Sequence, residues 1–419
     1  MRDEATVNSA EGQAGALSGL RVLDMSRILA GPWVGQTLGD LGAEVVKVER
    51  PDAGDDTRGW GPPYLRDADG EETDVAAYFL CANRNKKSVT IDIARPEGQA
   101  LIRRLAAMSD ILIENYKVGG LEKYGLDYES LSALNPRLIY CSITGFGQTG
   151  PYAKRAGYDF LIQAMGGLMS ITGAPDGSPG AGPQKVGVAI TDVVTGLYAT
   201  IGILAAVNAR HATGKGQHID IALLDAQVAS LANQTSSYLA GGVTPVRLGN
   251  AHPSIVPYQS FATRDGAMIV AVGNDGQFAR LADTFDHPEW SADIRFSTNR
   301  ARVENRAVLV PLLAAVATTR DTGAWVALLE AVGVPCGPVN TIADVFADPQ
   351  VKARGLEVAI PHPGAGAVSL VASPLRLSAT PVRYDRAPPA LGADTADVLR
   401  DWLGLDGTEI EQLADRKIT

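Results

Sequence analysis

Cysteine is scarce in this sequence of 419 residues, and its few copies lie far apart. The three residues are Cys81, Cys141 and Cys336, with no CxxC pair and no Cys/His cluster among them. An odd number of scattered cysteines provides neither a disulfide framework nor the ligand spacing of a zinc site. We therefore expect three ordinary core residues and no metal centre.

Positive charge is also sparse, because the formal net charge is −10 and no long basic run occurs. A nucleic-acid partner is disfavoured, since binding to a phosphate backbone needs a clustered Lys/Arg face. The first 15 residues are polar and acidic, unlike a signal or transit peptide. No uninterrupted apolar run approaches the roughly 18 residues of a membrane span. We expect a cytoplasmic protein without a membrane partner.

Strands and helices alternate through the first half of the chain. Residues 20–25 and 44–49 are β-rich and are separated by an Ala-Gly-Pro turn at 30–32 and a helical stretch to residue 41. Further strands are predicted at residues 88–93, 110–114, 137–143 and 217–223. Regular alternation predicts an α/β fold with a Rossmann-like, doubly wound parallel sheet.

A different pattern follows the Gly/Pro-containing segment 241–245, which we interpret as a linker. Arg264-Asp265-Gly266 lies between two β-rich runs and predicts a hairpin, with helical segments after it near 277–285, 302–318 and 322–332. The domain prediction is a flexible tail at 1–16, a large Rossmann-like domain at 17–240 and a C-terminal part at 339–419. A small α+β domain occupies 248–338.

The turn after the first strand lacks the G-x-G-x-x-G pattern, which disfavours NAD and FAD. Glu49 followed by Arg50 suits a ribose that carries an additional phosphate, as in NADP or coenzyme A, although a solvated charge pair is an equal alternative. The basic loop 83–88 and the segment 114–116 with Lys123 are either solvated faces or contacts to an anionic nucleotide.

Asp192 begins a strongly apolar helical stretch beside small and β-branched residues. One interpretation is a first-turn acid whose carboxylate accepts hydrogen bonds from the free amides of the helix. The other is a carboxylate nucleophile that attacks a thioester carbonyl. The local sequence favours the first interpretation.

From residue 17 onward the sequence resembles the class III CoA-transferases, which also include formyl-CoA transferase and 2-methylacyl-CoA racemase. The resemblance rests on the order and spacing of segments that would each be weak alone. These are residues 20–24 with 30–32, 41–49, 83–88, 112–116, 142–147 and 213–217.

The resemblance implies that Asp192 is the nucleophile, forming an aspartyl anhydride and then an aspartyl-CoA thioester. It implies an interlocked homodimer with no permanently bound cofactor, which uses coenzyme A and acyl-CoA as substrates. It also implies that the large domain at 17–240 binds CoA and is completed by 339–419. The glycine-bearing loop that contains Gly273 and Gly276 would cover the reacting acid. The implied CoA-binding residues are Ile28, Ala30, Arg50, Asn83, Arg84, Lys86, Asn115, Tyr116 and Lys123.

Two alternatives remain: a 2-methylacyl-CoA racemase and a non-catalytic CoA-binding homologue. The racemases have a histidine acid/base where this chain has Tyr158, which is a poor substitute, and the intact Asp192 argues against a non-catalytic protein. The most similar type is succinate–hydroxymethylglutarate CoA-transferase, which implies a succinyl-CoA donor and a small dicarboxylic acid acceptor. Arg247 and His252 would then bind the distal carboxylate, or they are ordinary hinge and turn residues.

Overall fold

The computed structural model describes residues 14–67 and 69–419, so residues 1–13 of the predicted tail lie outside it. The chain forms two compact units. The first runs to Leu168 and adds Val186–Ser236 and Gln350–Thr419, and the second comprises Met169–Lys185 and Ser237–Pro349. The segment 169–185 thus belongs to the second unit, whereas the sequence interpretation placed it in the large domain, and the return to the first unit begins at Gln350 rather than at residue 339.

The elements of the described chain alternate as expected in its first half. The strands are β1 (Arg21–Asp24), β2 (Glu44–Glu49), β3 (Tyr64–Arg66), β4 (Glu72–Ala76), β5 (Lys86–Thr90), β6 (Ile111–Glu114), β7 (Ile139–Thr144), β8 (His218–Ala222), β9 (Tyr258–Ala262), β10 (Ala267–Ala271), β11 (Cys336–Pro338), β12 (Glu357–His362) and β13 (Gly366–Val371). The helices are α1 (Ala30–Asp40), α2 (Ala77–Leu80), α3 (Pro96–Ala107), α4 (Tyr128–Leu134), α5 (Asp159–Met165), α6 (Leu168–Ile171), α7 (Ile190–Thr213), α8 (Leu223–Ser230), α9 (Asn233–Leu239), α10 (Asp275–Thr284), α11 (Glu289–Ala292), α12 (Asn299–Glu304), α13 (Arg306–Ala317), α14 (Thr322–Ala331), α15 (Ile342–Ala347), α16 (Pro349–Ala353), α17 (Thr395–Leu403) and α18 (Gly407–Asp415).

A six-stranded parallel sheet organises the first unit, in the order β5-β2-β1-β6-β7-β8. Strands β6 and β7 are buried along their whole length because helices cover both faces of the sheet. Side chains of α3, α4 and α17 pack on one face, and those of α1 and α7 pack on the other. The α/β fold with a doubly wound parallel sheet is confirmed. The strand order reverses between β1 and β6, which is where such sheets bind ligands.

The second unit has its own antiparallel sheet, ordered β11-β10-β9. The β9–β10 hairpin turns at residues 263–266, where the Arg-Asp-Gly signal predicted it. Arg302 is fully buried in this unit, where its guanidinium donates to the carbonyls of Val256 and Phe296 and pairs with Asp275. Those hydrogen bonds and the ion pair offset the desolvation cost of burying the Arg302 charge.

Two local expectations were wrong. The Ala-Gly-Pro segment is the first turn of α1 rather than a separate turn. Pro32 is tolerated there because amides in the first turn of a helix have no intrahelical acceptor, so its missing N–H costs no hydrogen bond. Helix α7 has the length and composition of a membrane span, contrary to the expectation that no stretch approaches it. Its buried side chains, such as Ala199 and Ile203, belong to the core beside α1, as in a core helix of an α/β domain.

Candidate active site

The cavity that contains Asp192 lies at the carboxyl ends of β1, β6 and β7, at the reversal of strand order. It encloses about 370 Å³, within the usual size range of small-molecule sites. We call it the Asp192 cavity, and its lining comprises residues 27–30, 115–118, 120, 143–145, 153, 155–158, 192 and 223. The structure therefore brings together six of the residues predicted for the site: Ile28, Ala30, Asn115, Tyr116, Tyr158 and Asp192.

Asp192 is the third residue of α7 and is only 9% exposed. Among the described residues, no hydrogen-bond donor reaches its carboxylate. The backbone amide of Thr191 instead donates to Asp159 Oδ1 at 2.8 Å. The interpretation of Asp192 as a first-turn acid that accepts hydrogen bonds from the free amides of its helix is therefore wrong. Asp159 accepts the hydrogen bond from the Thr191 amide, and the Asp192 carboxylate has no donor in the part of the chain that the structure describes.

The surroundings of Asp192 disfavour its charged form. Burial, and to a smaller extent the nearby charge of Asp159, raises its pKa from 3.8 to about 7. Burial and then the charge of Asp192 raise the pKa of Tyr78 to about 12, so this phenol stays protonated near the carboxylate. Tyr78 was not predicted from the sequence. A carboxylate with a perturbed pKa in a cleft is a candidate reactive group.

Buried amides hold the start of α7 in place, and sequence reasoning also missed them. Gln163 donates to Asp159 Oδ2 at 2.7 Å and accepts the backbone amide of Val186 at 2.9 Å. The Thr191 hydroxyl donates to Gln227 Oε1 at 2.6 Å. The available signal was a glutamine within each of the apolar helices α5 and α8. These bonds fix the helix terminus without using the Asp192 carboxylate.

Two close backbone approaches shape the cavity and require glycine. A Cβ on Gly196, one turn after Asp192, would lie 2.9 Å from the carbonyl oxygen of Ala30, so α1 and α7 could not cross as closely. A Cβ on Gly145 would lie 2.5 Å from the Cα of Gly157, where two cavity loops cross. Both distances are shorter than real side chains tolerate, so these glycines determine the shape of the site.

The turn between β1 and α1 is held by hydrogen bonds to its backbone. Ile28 has a φ of 73°, which is unfavourable for a β-branched residue. Asp55 accepts the Ile28 amide at 3.2 Å and is paired with the fully buried Lys47 at 2.9 Å. The Asn115 side chain accepts from the Arg27 amide and donates to the Arg27 carbonyl, at 2.9 and 2.7 Å. Asn115 thus joins the loops after β1 and β6.

The loop 83–86 lies beneath the site rather than in it. Arg84 is 5% exposed and pairs with Asp40, and Lys86 is fully buried against Asp24 at 2.9 Å. The Asn83 side chain accepts from Lys86 at 2.9 Å. None of these three predicted CoA contacts lines the Asp192 cavity. They were predicted as ligand contacts because sequence alone cannot distinguish a buried ion pair from a free cation.

A second cavity of about 250 Å³, the Arg50 cavity, lies at the ends of β1, β2 and β5. Arg50 and Tyr116 both line it, and Tyr116 also lines the Asp192 cavity. Lys123 lines neither cavity, because its ammonium group lies exposed, 4.6 Å from the ring centre of Tyr124. Tyr116 thus lies between the cavity that contains Arg50 and the cavity that contains Asp192.

Four of the predicted substrate residues belong to the second unit. Arg247 pairs with Asp176, while its Nε is buried without a hydrogen-bond partner. His252 accepts the backbone amide of Ser254 at 3.1 Å, as a turn residue does.

The predicted mobile loop begins α10 in this unit. The amide of Gly273 donates to Gln277 Oε1 at 2.7 Å, and Gly276 is in the first turn of the helix. The loop is therefore the capped end of a helix.

The structure contradicts one expectation about the cysteines. Cys141 is buried and Cys336 is half-buried, but Cys81 is exposed and so is no core residue. Across residues 14–67 and 69–419, no group of three or more His, Cys, Asp or Glu side chains is placed to hold a metal ion.

The site thus combines a buried carboxylate, without a side-chain or backbone donor among the described residues, with a cavity at the carboxyl ends of a doubly wound sheet. The sequence profile of CoA-transferase family III matches residues 17–395. The chain belongs to this family and is a CoA-transferase, which confirms the resemblance stated above.

Relatives of similar length support this assignment. A protein of Agrobacterium fabrum named succinate–glutarate CoA-transferase is 51% identical over 392 residues, covering 94% of this chain and 97% of that protein. Human succinyl-CoA:glutarate CoA-transferase is 45% identical, covering 95% of this chain and 88% of that protein. The crystal structure of a CaiB/BaiF family protein from Brucella suis is 53% identical, with a TM-score of 0.82 over 93% of this chain and 100% of that one.

Proposed function

We propose that this enzyme transfers CoA from succinyl-CoA to a small dicarboxylic acid such as glutarate, with Asp192 as the covalent nucleophile. The unpaired, buried carboxylate of Asp192 in the cleft is the observation that carries this proposal. The names of the relatives at 51% and 45% identity support the choice of substrates. The predicted CoA contacts Ile28, Ala30, Asn115 and Tyr116 line the same cavity.

The reaction is a series of acyl exchanges on Asp192. Its carboxylate oxygen attacks the thioester carbonyl of the donor, and the C–S bond breaks to give a mixed anhydride and CoA thiolate. The thiolate attacks the aspartyl carbonyl and releases succinate, leaving an aspartyl-CoA thioester. The acceptor carboxylate attacks that thioester, and the returning thiolate takes the acceptor acyl group and restores the Asp192 carboxylate. No proton is gained or lost.

The test of the nucleophile is the Asp192→Ala variant together with chemical trapping. We expect D192A to lose CoA transfer while it retains binding of CoA, because the Arg50 cavity and the Tyr116 loop are untouched. Hydroxylamine or borohydride added to the wild type with succinyl-CoA should modify Asp192, as read by mass spectrometry of the active-site peptide. Turnover by D192A, or an unmodified active-site peptide in the wild type, would contradict the covalent mechanism.

The substrate proposal is tested separately with a panel of acyl-CoA donors and carboxylic acid acceptors. We expect succinyl-CoA and dicarboxylic acids to give the highest kcat/KM. Equal use of monocarboxylic acids of the same length would contradict dicarboxylate specificity while leaving CoA transfer intact. The isomerase alternative predicts deuterium exchange at carbon 2 of a chiral 2-methylacyl-CoA in deuterated water. We expect no exchange, because Tyr158 stands in the acid/base position.

We also propose that the enzyme is a homodimer, interlocked as the resemblance implies, and cytoplasmic. Large apolar side chains of α5, α7 and α8 are exposed, and Ile201 reaches 61%. An apolar surface shared by several helices is typical of a subunit interface. Light scattering should give twice the mass of one chain, and Ile201→Glu should lower it. A monomeric wild type would refute the dimer.

A further inference from the structure

Next to the Asp192 cavity, a third cavity contains a carboxyl group for which the proposed reaction has no use. It lies at the ends of β6 and β7, and Tyr116, Lys117, Val118 and Gly120 line both cavities. Glu114, the last residue of β6, lines this cavity and is 5% exposed. We call it the Glu114 cavity. One short loop therefore separates a buried carboxyl from the site proposed to bind CoA.

Glu114 holds the backbone of that loop. Its Oε2 accepts the amide of Tyr116 at 2.7 Å, which is short for a hydrogen bond to a backbone amide. Tyr116 lines all three cavities, and the intervening Asn115 is bonded to the Arg27 backbone. The strength of the bond between Glu114 and Tyr116 therefore bears on how firmly the proposed CoA-binding loop is fixed.

Glu114, Ser142 and His218 form a row of neighbouring polar groups in the Glu114 cavity. Ser142 lies opposite Glu114 in the β6–β7 ladder, and hydrogen bonding from its side chain lowers the pKa of the Glu114 carboxyl against the effect of burial. The Ser142 hydroxyl also lies 2.9 Å from His218 Nε2, and the His218 ring stacks on Tyr128 with a centroid separation of 4.9 Å. A hydroxyl has one proton to donate, so it donates to only one of its two neighbours at a time.

The charge state of Glu114 decides the direction of the hydrogen bonds in this row. When Glu114 is ionised, Ser142 donates to it and His218 Nε2–H donates to Ser142. A proton added at His218 Nδ1 lets the Nε2 proton move to Ser142 and the Ser142 proton move to Glu114. The result is a neutral carboxyl that donates to Ser142, which then donates to Nε2. One proton enters and every bond is kept, but the acceptor for Tyr116 has lost its charge.

We propose that Glu114 is a positioning residue for CoA binding, whose protonation through Ser142 and His218 loosens the Tyr116 loop. Burial raises the pKa of Glu114 to about 7, against the opposing effect of the Ser142 and Tyr116 bonds, so the change falls near neutral pH. Burial lowers the pKa of His218, which keeps the imidazole neutral in that range. The other titratable groups that line the Glu114 cavity are Tyr116, Lys117, Glu122, Asp127, Tyr128, Glu129 and Tyr140.

The inference rests on the proposed function, because it assumes that CoA contacts the Tyr116 loop. The test is calorimetric binding of CoA from pH 6 to pH 8 in D192N, which cannot turn over and lacks the titration of Asp192. We expect the Kd to rise about threefold to tenfold as the pH falls, the size of one weakened charge-assisted hydrogen bond. In D192N/E114Q this change should disappear, because glutamine cannot titrate. Any part of the pH dependence that comes from titration of the CoA phosphates is common to both proteins.

Two further variants separate this role from a merely structural one. Ser142→Ala removes a bond that lowers the pKa of Glu114, so the midpoint of the Kd profile should move to higher pH. Glu122→Gln removes an exposed carboxylate of the same cavity and should leave the profile unchanged.

The inference would be overturned if the Kd of D192N/E114Q changed with pH as the Kd of D192N does. It would also be overturned if Ser142→Ala left the midpoint of the Kd profile unmoved. Absence of CoA binding at every pH in the folded D192N protein would count against the proposed function instead.

Discussion

Replacing Asp192 by asparagine should make the folded protein more stable at pH 8 while abolishing CoA transfer. The magnitude follows from the raised pKa, which is 3.8 in an exposed chain and about 7 in the folded protein. A shift of about three units corresponds to about 4 kcal/mol between the two charge states. Ionised Asp192 therefore costs the folded state up to about 4 kcal/mol, and a neutral amide of the same shape removes that cost.

The sign of the pH dependence follows from the same shift. Below pH 4 the carboxyl is protonated in both the folded and the unfolded chain, so Asp192 costs nothing there. The folded state binds the proton more tightly, so stability is lost as the pH rises from 4 to 7 and the loss is complete above 7. We expect D192N to exceed the wild type by about 1.5 kcal/mol at pH 5 and by about 4 kcal/mol at pH 8.

The assay is urea unfolding of both proteins at pH 5, 6, 7 and 8, paired with a CoA-transfer assay. Asp401→Asn makes the same chemical change in the exposed face of α17 and is the matched control. A D192N protein that is no more stable than the wild type at pH 8 would refute the reasoning. A gain that is independent of pH would show that the amide packs better and that the Asp192 charge is not costly.

Further outcomes follow from the close approaches and the buried charges. Gly196→Ala should destabilise the protein by about 1–3 kcal/mol, because its Cβ would lie 2.9 Å from a backbone oxygen in α1. Gly202→Ala in the same helix meets only a side-chain methyl at 3.3 Å and should be neutral or stabilising, so equal losses in thermal unfolding would contradict the crossing argument. Lys47→Met should cost about 3–5 kcal/mol by leaving Asp55 charged and unpaired, and a smaller loss in urea unfolding would mean that Asp55 takes up a proton.

The sheet was predictable because its signals are local. Residues 44–49 form a strand with the predicted bounds, since apolar β-branched runs that are buried on both faces leave few alternatives. Breaks within helices were not predictable. The helical segment predicted at 302–318 is two helices that are separated at Asn305. Asparagine favours caps and turns but also occurs within helices, so this one residue did not distinguish a break from a continuous helix. Tertiary packing decided these boundaries.

The site was predictable only in part, for a different reason. Asp192 and Tyr116 were found because the family resemblance covers them, and the structure brings both to the same edge of the sheet. The loop that contains Arg84 and Lys86 was predicted to bind CoA, but its charges meet Asp40 and Asp24 in the interior. Those partners lie more than 40 residues away in the chain, and a sequence does not show which distant carboxylate a cation will meet.

The hydrogen bond between Asp159 and the Thr191 amide bears on the nucleophile role proposed for Asp192. A carboxylate in the first turn of a helix normally accepts the free amides, which lowers its pKa and weakens it as a nucleophile. Here Asp159 accepts the Thr191 amide from outside the helix, so Asp192 lies in the same turn without that bond. Burial, and then the nearby charge of Asp159, raises the pKa of Asp192 and leaves fewer ionised molecules at neutral pH. In the proposed reaction, the ionised form would attack a thioester without first displacing hydrogen-bond donors. The proposal thus gives the two neighbouring acids separate tasks: Asp159 holds the start of α7, and Asp192 reacts.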